Sequence, residues 1–268
     1  MFATDFIFNG RKASDFGLML CTWNEDDDVA EGGNIEPNAV KPPSRDVFDW
    51  YGGQFNEPLV WKTSVCKLLC KDLDTFDDDF FVSIKEERQI SRWLMQAGYK
   101  WTCFMDEREG SEDIWYKCNV AVTPHQMGGK TVGFDLIFTS NCAYGFTGQR
   151  KYVGTISSSK DVVINISTDI NEYVYPEITL SGSVGDIQIY NASDKRQNLE
   201  NNKATKIKVN GDVVMDSNND IVTGISNPDE DFNYYFIHLV DGENTIKTTS
   251  SAEIDIEINY REARRVIL

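Results

Sequence analysis

Apolar and polar residues alternate along most of the chain, which is the pattern of strands with one buried face. The alternation is most regular at 253–259, which reads Glu-Ile-Asp-Ile-Glu-Ile-Asn. Similar runs in the second half occupy residues 162–166, 178–180, 187–189 and 235–239. Turn residues separate these runs, so we predict an antiparallel β-sandwich or jelly roll without a helix in this half.

The first half contains shorter and less regular strand patterns. We predict strands at residues 5–8, 16–23, 47–51, 59–70, 99–104, 114–122 and 133–138. The whole chain is therefore predicted to be mainly β.

One stretch of the first half instead has the period of a helix. Apolar residues recur at positions i, i+3, i+4 and i+7, namely Ile90, Trp93, Leu94 and Ala97. Ser83 and Glu86 have the spacing of a capping box, and Gly98 follows the last apolar position. We predict a helix over residues 83–98 that packs its apolar face across a sheet.

Two Asn-Gly pairs lie between apolar runs, where such pairs favour tight hairpin turns. Asn9 and Gly10 follow the first strand, with residues 16–23 as the predicted return strand. Asn210 and Gly211 lie between residues 207–209 and 213–215, and predict a second hairpin.

A long polar segment, residues 24–44, fits neither pattern. It contains the acidic run 25–28, a Gly-Gly pair and three prolines, and we predict an exposed loop or extended arm. The acidic triplets 26–28 and 77–79 are candidate metal ligands, although charge runs are more often solvated.

Composition changes near residue 148. All six tryptophans and all six cysteines precede residue 143, and a segment with several glycines and serines follows at 143–160. We predict two domains, residues 1–148 and 149–268.

The cysteines are Cys21, Cys66, Cys70, Cys103, Cys118 and Cys142. They form no C-x-x-C pair, and the chain has only two histidines, which argues against a zinc site. The amino terminus lacks the pattern of a signal peptide. We therefore expect reduced cysteines that serve as small apolar residues, with Cys66 and Cys70 on one face of a strand.

The formal net charge is −17, which argues against a surface that binds nucleic acid directly. No apolar run reaches about 18 residues, so we expect no membrane span.

We found no motif for catalysis, phosphate binding or dinucleotide binding. Residues 216–220 begin like a calcium loop, but Ile221 replaces the turn glycine and Asn227 replaces the bidentate glutamate. We expect His125 in a loop and His238 on the surface. The sequence thus predicts no catalytic residue, no cofactor and no metal ligand, although a glycosidase carboxylate pair stays open because no spacing singles one out.

Several weak motifs occur in an order that resembles the distal tail protein of siphophages, the hub of the baseplate. They are residues 6–10, 14–18, 87–94, 175–182, 242–246 and 260–265. The acidic part of residues 24–44 matches no pattern of that family.

The resemblance implies a ring-forming, tail-tube-like β-sandwich with one helix in residues 1–148, and a galectin-like sandwich in residues 149–268 that projects outward. It also implies a non-enzymatic homohexamer that joins the tail tube protein to the tail-associated and receptor-binding proteins. Such a protein is assembled in the bacterial host cytoplasm and becomes part of the virion.

Two alternatives remain open at this point. One is a carbohydrate-binding adhesin acting through the C-terminal sandwich, with tyrosines as stacking residues: Tyr173, Tyr175, Tyr190, Tyr234 and Tyr235. The other is a tail-associated hydrolase.

Overall fold

The computed structural model describes residues 3–23, 29–33, 35–55, 57–67, 81–106, 112–170, 172–195 and 204–266. The chain is mainly β and forms two compact units, each with its own hydrophobic core. The first unit comprises residues 1–146 with 266–268, and the second comprises residues 147–265. The predicted fold class, a two-domain β protein with one main helix, is confirmed.

The first unit is built on an antiparallel main sheet with strand order β2-β1-β8-β9-β10-β7-β3, to which β4 adds beside β7 and β11 beside β9. A separate two-stranded sheet pairs β5 with β6. The strands are β1 Asp5–Phe8, β2 Arg11–Lys12, β3 Leu18–Cys21, β4 Val29–Glu31, β5 Ile35–Val40, β6 Asp49–Phe55, β7 Val60–Lys67, β8 Lys100–Met105, β9 Trp115–Met127, β10 Lys130–Ser140 and β11 Gly145–Phe146.

Helix α1, Ile84–Leu94, covers the apolar face of the main sheet. The predicted capping box is present, because the Glu86 N–H donates to Ser83 Oγ at 3.3 Å and the Ser83 N–H donates to Glu86 Oε2 at 2.7 Å. Ile90, Trp93 and Leu94 are buried as predicted.

The prediction for the end of α1 was wrong. Met95 leaves the helical conformation, with φ −86° and ψ 61°, so the helix stops at Leu94. Ala97 therefore lies beyond the last turn and is exposed. Gly98 does have a left-handed φ of 74°, but it belongs to the loop after the helix.

The hairpin at Asn9 and Gly10 is confirmed, since both residues have positive φ and Phe8 pairs with Arg11. Its return strand is shorter than predicted. A 3₁₀ turn, Ser14–Phe16, interrupts the strand, and the Asp15 carboxylate accepts from the Lys12 N–H at 3.0 Å. The next strand, β3, then pairs with β7 instead of β1, and Trp23 lies outside any strand.

The predicted loop over residues 24–44 is partly strand. Strand β4 extends the main sheet along β7, and β5 pairs with β6 in the two-stranded sheet. Residues 24–28, including the acidic triplet, and residues 77–79 lie outside the described residues.

The second unit is also antiparallel, with strand order β12-β18-β14-β15-β16, and β17 joins β14 to β13. Its strands are β12 Arg150–Ile156, β13 Ser159–Ile166, β14 Glu177–Asn191, β15 Thr205–Asp216, β16 Ile221–Thr223, β17 Gly242–Ser250, β18 Ile254–Tyr260 and β19 Ala263–Arg264. The predicted alternation is confirmed, because Val162, Ile164, Ile166, Ile178, Leu180, Ile187 and Ile189 are all buried in one core.

Strand β14 contributes to two pairings in succession. Residues 177–182 pair with β18, and residues 187–191 pair with β17. The change occurs at a bulge, where residues 183–184 face a single residue of β15 between two paired positions. Such a bulge bends a strand, and here it lets one long strand serve both layers.

Three predictions for the second unit were wrong. Asn210 and Gly211 form no hairpin, because they lie inside β15 opposite the bulge, where Gly211 adopts φ 89°. Residues 235–239 form no ladder and are joined to Val174 by one isolated bridge at Leu239. A short helix, α2, spans Pro228–Asp231.

Candidate interaction surfaces

The hairpin formed by β5, β6 and their connection exposes large apolar side chains to solvent. Val40, Val47, Phe48 and Tyr51 are between 54 and 66% exposed. We call residues 35–55 the arm. Its tip is held by a turn in which the Arg45 N–H donates to the Pro42 carbonyl at 3.2 Å, beside a Lys41–Asp46 ion pair at 2.9 Å. Clustered exposed apolar residues on an ordered hairpin are typical of a protein interaction site.

His125 lies in strand β9, not in the predicted loop. Its Nδ1 is 3.5 Å from Asp135 Oδ2, and its ring stacks on Trp23 with centroids 4.8 Å apart. The Ser64 hydroxyl donates to Asp135 Oδ1 at 2.8 Å. This hydroxyl is directed at the carboxylate and not at the imidazole, so the three groups lack the arrangement of a nucleophile activated by a histidine base.

His238 is half-buried, which corrects its predicted surface position. Its ring contacts Tyr173 and Tyr175, each with centroids 4.9 Å away, and the Tyr173 hydroxyl donates to Asp194 Oδ1 at 3.2 Å. Burial lowers the pKa of His238, while the carboxylates of Asp194 and Asp220 oppose that shift.

The candidate stacking tyrosines do not all join this cluster. Tyr234 instead packs on Phe232, with centroids 5.2 Å apart, and donates to Asp229 Oδ1 beside α2. Tyr175 is 45% exposed, but it also packs edge-on against Tyr173. Three of the five candidate tyrosines thus make ring contacts within the unit, while Tyr234 and Tyr235 are still 54% and 41% exposed.

The calcium-like segment 216–220 is a turn stabilised by its own side chains. Asp216 accepts from the Asn218 N–H at 2.9 Å through one oxygen and from the Asn219 amide through the other. Among the residues described, no group of three or more His, Cys, Asp or Glu side chains is arranged to hold a metal ion.

The structure describes five of the six cysteines. Cys103 and Cys118 are buried, and burial raises the pKa of Cys118 to about 12. Cys70 lies outside the described residues. No helix within the described ranges is long and apolar enough to cross a membrane.

The motif at 260–265 contains a buried carboxylate, that of Glu262, whose arginine partners are partly exposed. Glu262 is fully buried and pairs with Arg264 at 2.9 Å and Arg150 at 3.2 Å. Its Oε1 also accepts from the Ser167 N–H at 3.3 Å. The alternation of charged residues in the sequence signals exposure, so this burial could not be inferred before the fold was known.

The motif at 242–246 contains Asn244, which forms a buried hydrogen-bonded pair with Asn191. Asn191 donates to Asn244 Oδ1 at 2.7 Å, and both side chains are fully buried. Asn244 also donates to the Val240 carbonyl at 2.7 Å and accepts from the Val240 N–H at 2.8 Å. This amide fixes the turn that leads into β17.

Comparison with known proteins identifies both parts of the sequence. Residues 1–142 match the family described as phage tail protein N-terminal domain, and residues 144–260 match the phage tail C-terminal domain. A search of curated proteins finds no match.

Among solved structures, the chain is similar to the crystal structure of SPP1 Dit (gp 19.1), described as a paradigm of the hub adsorption apparatus in phages that infect Gram-positive bacteria. The sequence identity is 11% and the TM-score is 0.53, over 97% of this chain and 98% of that chain. The resemblance to siphophage distal tail proteins that the motifs indicated is confirmed at the level of fold. The match to the phage tail protein N-terminal domain covers residues 1–142, which is more than half of the chain. The chain therefore belongs to this family of phage tail proteins.

Proposed function

We propose that this protein is the distal tail hub of a siphophage, a structural protein without enzymatic activity. The observation that carries the proposal is the similarity to the SPP1 hub protein over nearly the whole of both chains. The two family matches support it, since both describe phage tail domains. In this role the chain forms a homohexameric ring between the tail tube protein and the tail-associated and receptor-binding proteins, and its place is the virion.

The first unit, corresponding to predicted domain 1–148, builds the ring. The exposed apolar residues of the arm support this role, because they are covered only if another surface packs on them. Each copy carries a net charge of −17, so association of identical copies needs apolar burial to offset repulsion. In a closed ring of identical subunits, each subunit packs against the next, so the arm of every copy can be covered by a neighbouring copy.

The second unit, corresponding to predicted domain 149–268, is the galectin-like outer platform. Its core includes residues from nearly all of its strands, so its fold needs no neighbour to bury its apolar faces. A self-contained sandwich is suited to dock other tail proteins while the first unit holds the ring.

Native mass spectrometry of the full chain tests this proposal. We expect a hexamer at high protein concentration and smaller species for the double variant Phe48→Ser, Tyr51→Ser, which removes apolar area from the arm. The matched control is Val153→Ser, Val163→Ser, since these two valines are also more than half exposed but lie in the second unit. We expect the control to remain hexameric.

A wild-type chain that stays monomeric at every concentration would contradict the ring, and equal dissociation of both double variants would contradict the assignment of the contact to the arm. Circular dichroism spectra of each variant establish that the loss of assembly is not a loss of folding.

A further inference from the structure

Two cysteines lie side by side at an edge of the main sheet. In the antiparallel pair of β3 and β7, Cys21 is opposite Ser64 and Met19 is opposite Cys66. Opposite residues of an antiparallel pair project to the same face, as do alternate residues of one strand. Cys21 and Cys66 are therefore diagonal neighbours on one face, and the Cys21 side chain is close enough to lower the pKa of the Cys66 thiol.

Both thiols are accessible enough to react. Cys21 and Cys66 are each only partly buried, whereas Cys103 and Cys118 are fully buried. On its other side, Cys66 is opposite Gly133 of β10, which has no side chain to cover the sulfur.

The environment also activates one of the two thiols. The contact with Cys21 lowers the pKa of Cys66 to about 7, against the opposing effect of burial. The thiolate is the nucleophilic form of cysteine, so a large fraction of Cys66 is reactive near neutral pH. Cys118, whose pKa burial raises to about 12, stays a thiol under the same conditions.

We propose that Cys21 and Cys66 form an oxidative modification site at which a low-molecular-weight disulfide, such as oxidised glutathione, converts the two thiols into a cross-strand disulfide. The Cys66 thiolate attacks one sulfur of the small disulfide, which forms a mixed disulfide and releases one small thiolate. Cys21 then loses its proton and attacks the Cys66 sulfur, which forms the Cys21–Cys66 bond and releases the second thiolate. The protein loses two electrons and two protons, and the small disulfide gains them as two thiols.

The bond would fix edge strand β3 to β7 and close a loop that contains the whole arm. The arm would then be anchored covalently at both ends of the segment that carries it. Disulfides persist where the surroundings are oxidising, so the bond would form under such conditions and would be reduced in a reducing compartment. This inference does not depend on the proposed hub function.

The test is oxidation of the reduced, folded full chain with oxidised glutathione at pH 7.5, followed by alkylation with iodoacetamide and peptide mapping by mass spectrometry. We expect a cross-linked peptide pair that contains Cys21 and Cys66, with a mass two hydrogens below the sum of the reduced peptides. Without the oxidant, Cys66 should be alkylated first and Cys118 last.

Two variants sharpen the result. Cys21→Ser should stop the reaction at the mixed disulfide of Cys66 with glutathione, while the control Cys142→Ser should form the cross-link as the wild type does. Cross-linking of Cys66 to Cys70, or a Cys21 that remains open to alkylation after oxidation, would overturn the proposal. The wild-type map decides the question even if a variant fails to fold.

Discussion

Trp93 is the residue whose removal tests the first core most severely. Its indole lies between two phenylalanine rings, with Phe16 stacked at a centroid distance of 4.3 Å and Phe6 at 5.6 Å. Its Nε1 donates to the Phe8 carbonyl at 2.8 Å, and 4% of the residue remains exposed. The side chain thus joins α1 to β1 through both packing and a hydrogen bond.

The expected cost follows from these contacts. Truncation of a buried tryptophan to alanine costs about 3–5 kcal/mol, through lost burial and the cavity left behind. Trp93→Phe keeps a stacked ring but leaves the Phe8 carbonyl without its indole donor, which costs about 1–3 kcal/mol. We therefore expect Trp93→Ala to destabilise the first unit by about 4 kcal/mol, with Trp93→Phe intermediate.

Urea unfolding followed by tryptophan fluorescence measures this effect in the correct unit, because all six tryptophans precede residue 143 and five remain in each variant. Tyr99→Ala is the matched control, since Tyr99 follows α1 but is 51% exposed and should change stability by less than about 0.5 kcal/mol. A loss below about 1 kcal/mol for Trp93→Ala would refute the core assignment.

Three further predictions follow from named contacts. Ser83→Ala should lower the free energy of unfolding of the first unit by about 1 kcal/mol through loss of the helix cap, with Ser91→Ala in the same helix as a nearly neutral control, and equal unfolding curves would contradict the capping role. Glu262→Gln should destabilise the second unit by about 2 kcal/mol in calorimetry, because the buried side chain loses its charge-assisted contacts with Arg264 and Arg150, and an unchanged transition would show that these ion pairs are dispensable. Burial lowers the pKa of His238 below its value in the unfolded chain, which is near 6.5. The unfolded chain therefore binds the proton more readily than the folded chain. The free energy of unfolding measured at pH 7.5 should decrease as the pH falls through 6.5 toward the folded pKa. His238→Gln should weaken this pH dependence, and an identical pH profile would exclude the histidine as its source.

The sequence predicted correctly those features that depend on residues close together in the chain. The capping box at Ser83 depends on residues three apart in the chain, and the turn at Asn9 and Gly10 depends on backbone conformations that those two residues tolerate. Period-2 alternation likewise identified the buried face of β18, since each strand of a half-exposed sheet must alternate.

The predictions that were wrong depend on partners far away in sequence. Gly211 has the left-handed conformation expected of a turn. Residues 183–184 of β14 form a bulge beside it, so β15 continues its pairing with β14 past Gly211 and does not reverse direction. Strand β3 pairs with β7, which is more than 40 residues away in sequence. Residues 16–23 contain no pattern from which this pairing could be predicted. The burial of Glu262 depends in the same way on Arg150, which is distant in sequence.

Residues 24–44 were predicted to form an exposed loop or extended arm, and this range overlaps only the first half of the arm at residues 35–55. The exposed apolar residues Phe48 and Tyr51 lie in the range 47–51, which was predicted to be a strand without any statement that its side chains face solvent. The pairing of β5 with β6 forms a hairpin in which Tyr51 lies in β6 and Phe48 lies in the connection between the two strands.

The central claim is that this chain forms the ring of a phage tail hub, and electron microscopy of the purified full-length protein tests it most directly. We predict that particle images average to a closed ring with six-fold symmetry and an open centre. Single unassociated particles at all protein concentrations, or a ring of a different symmetry, would contradict the account.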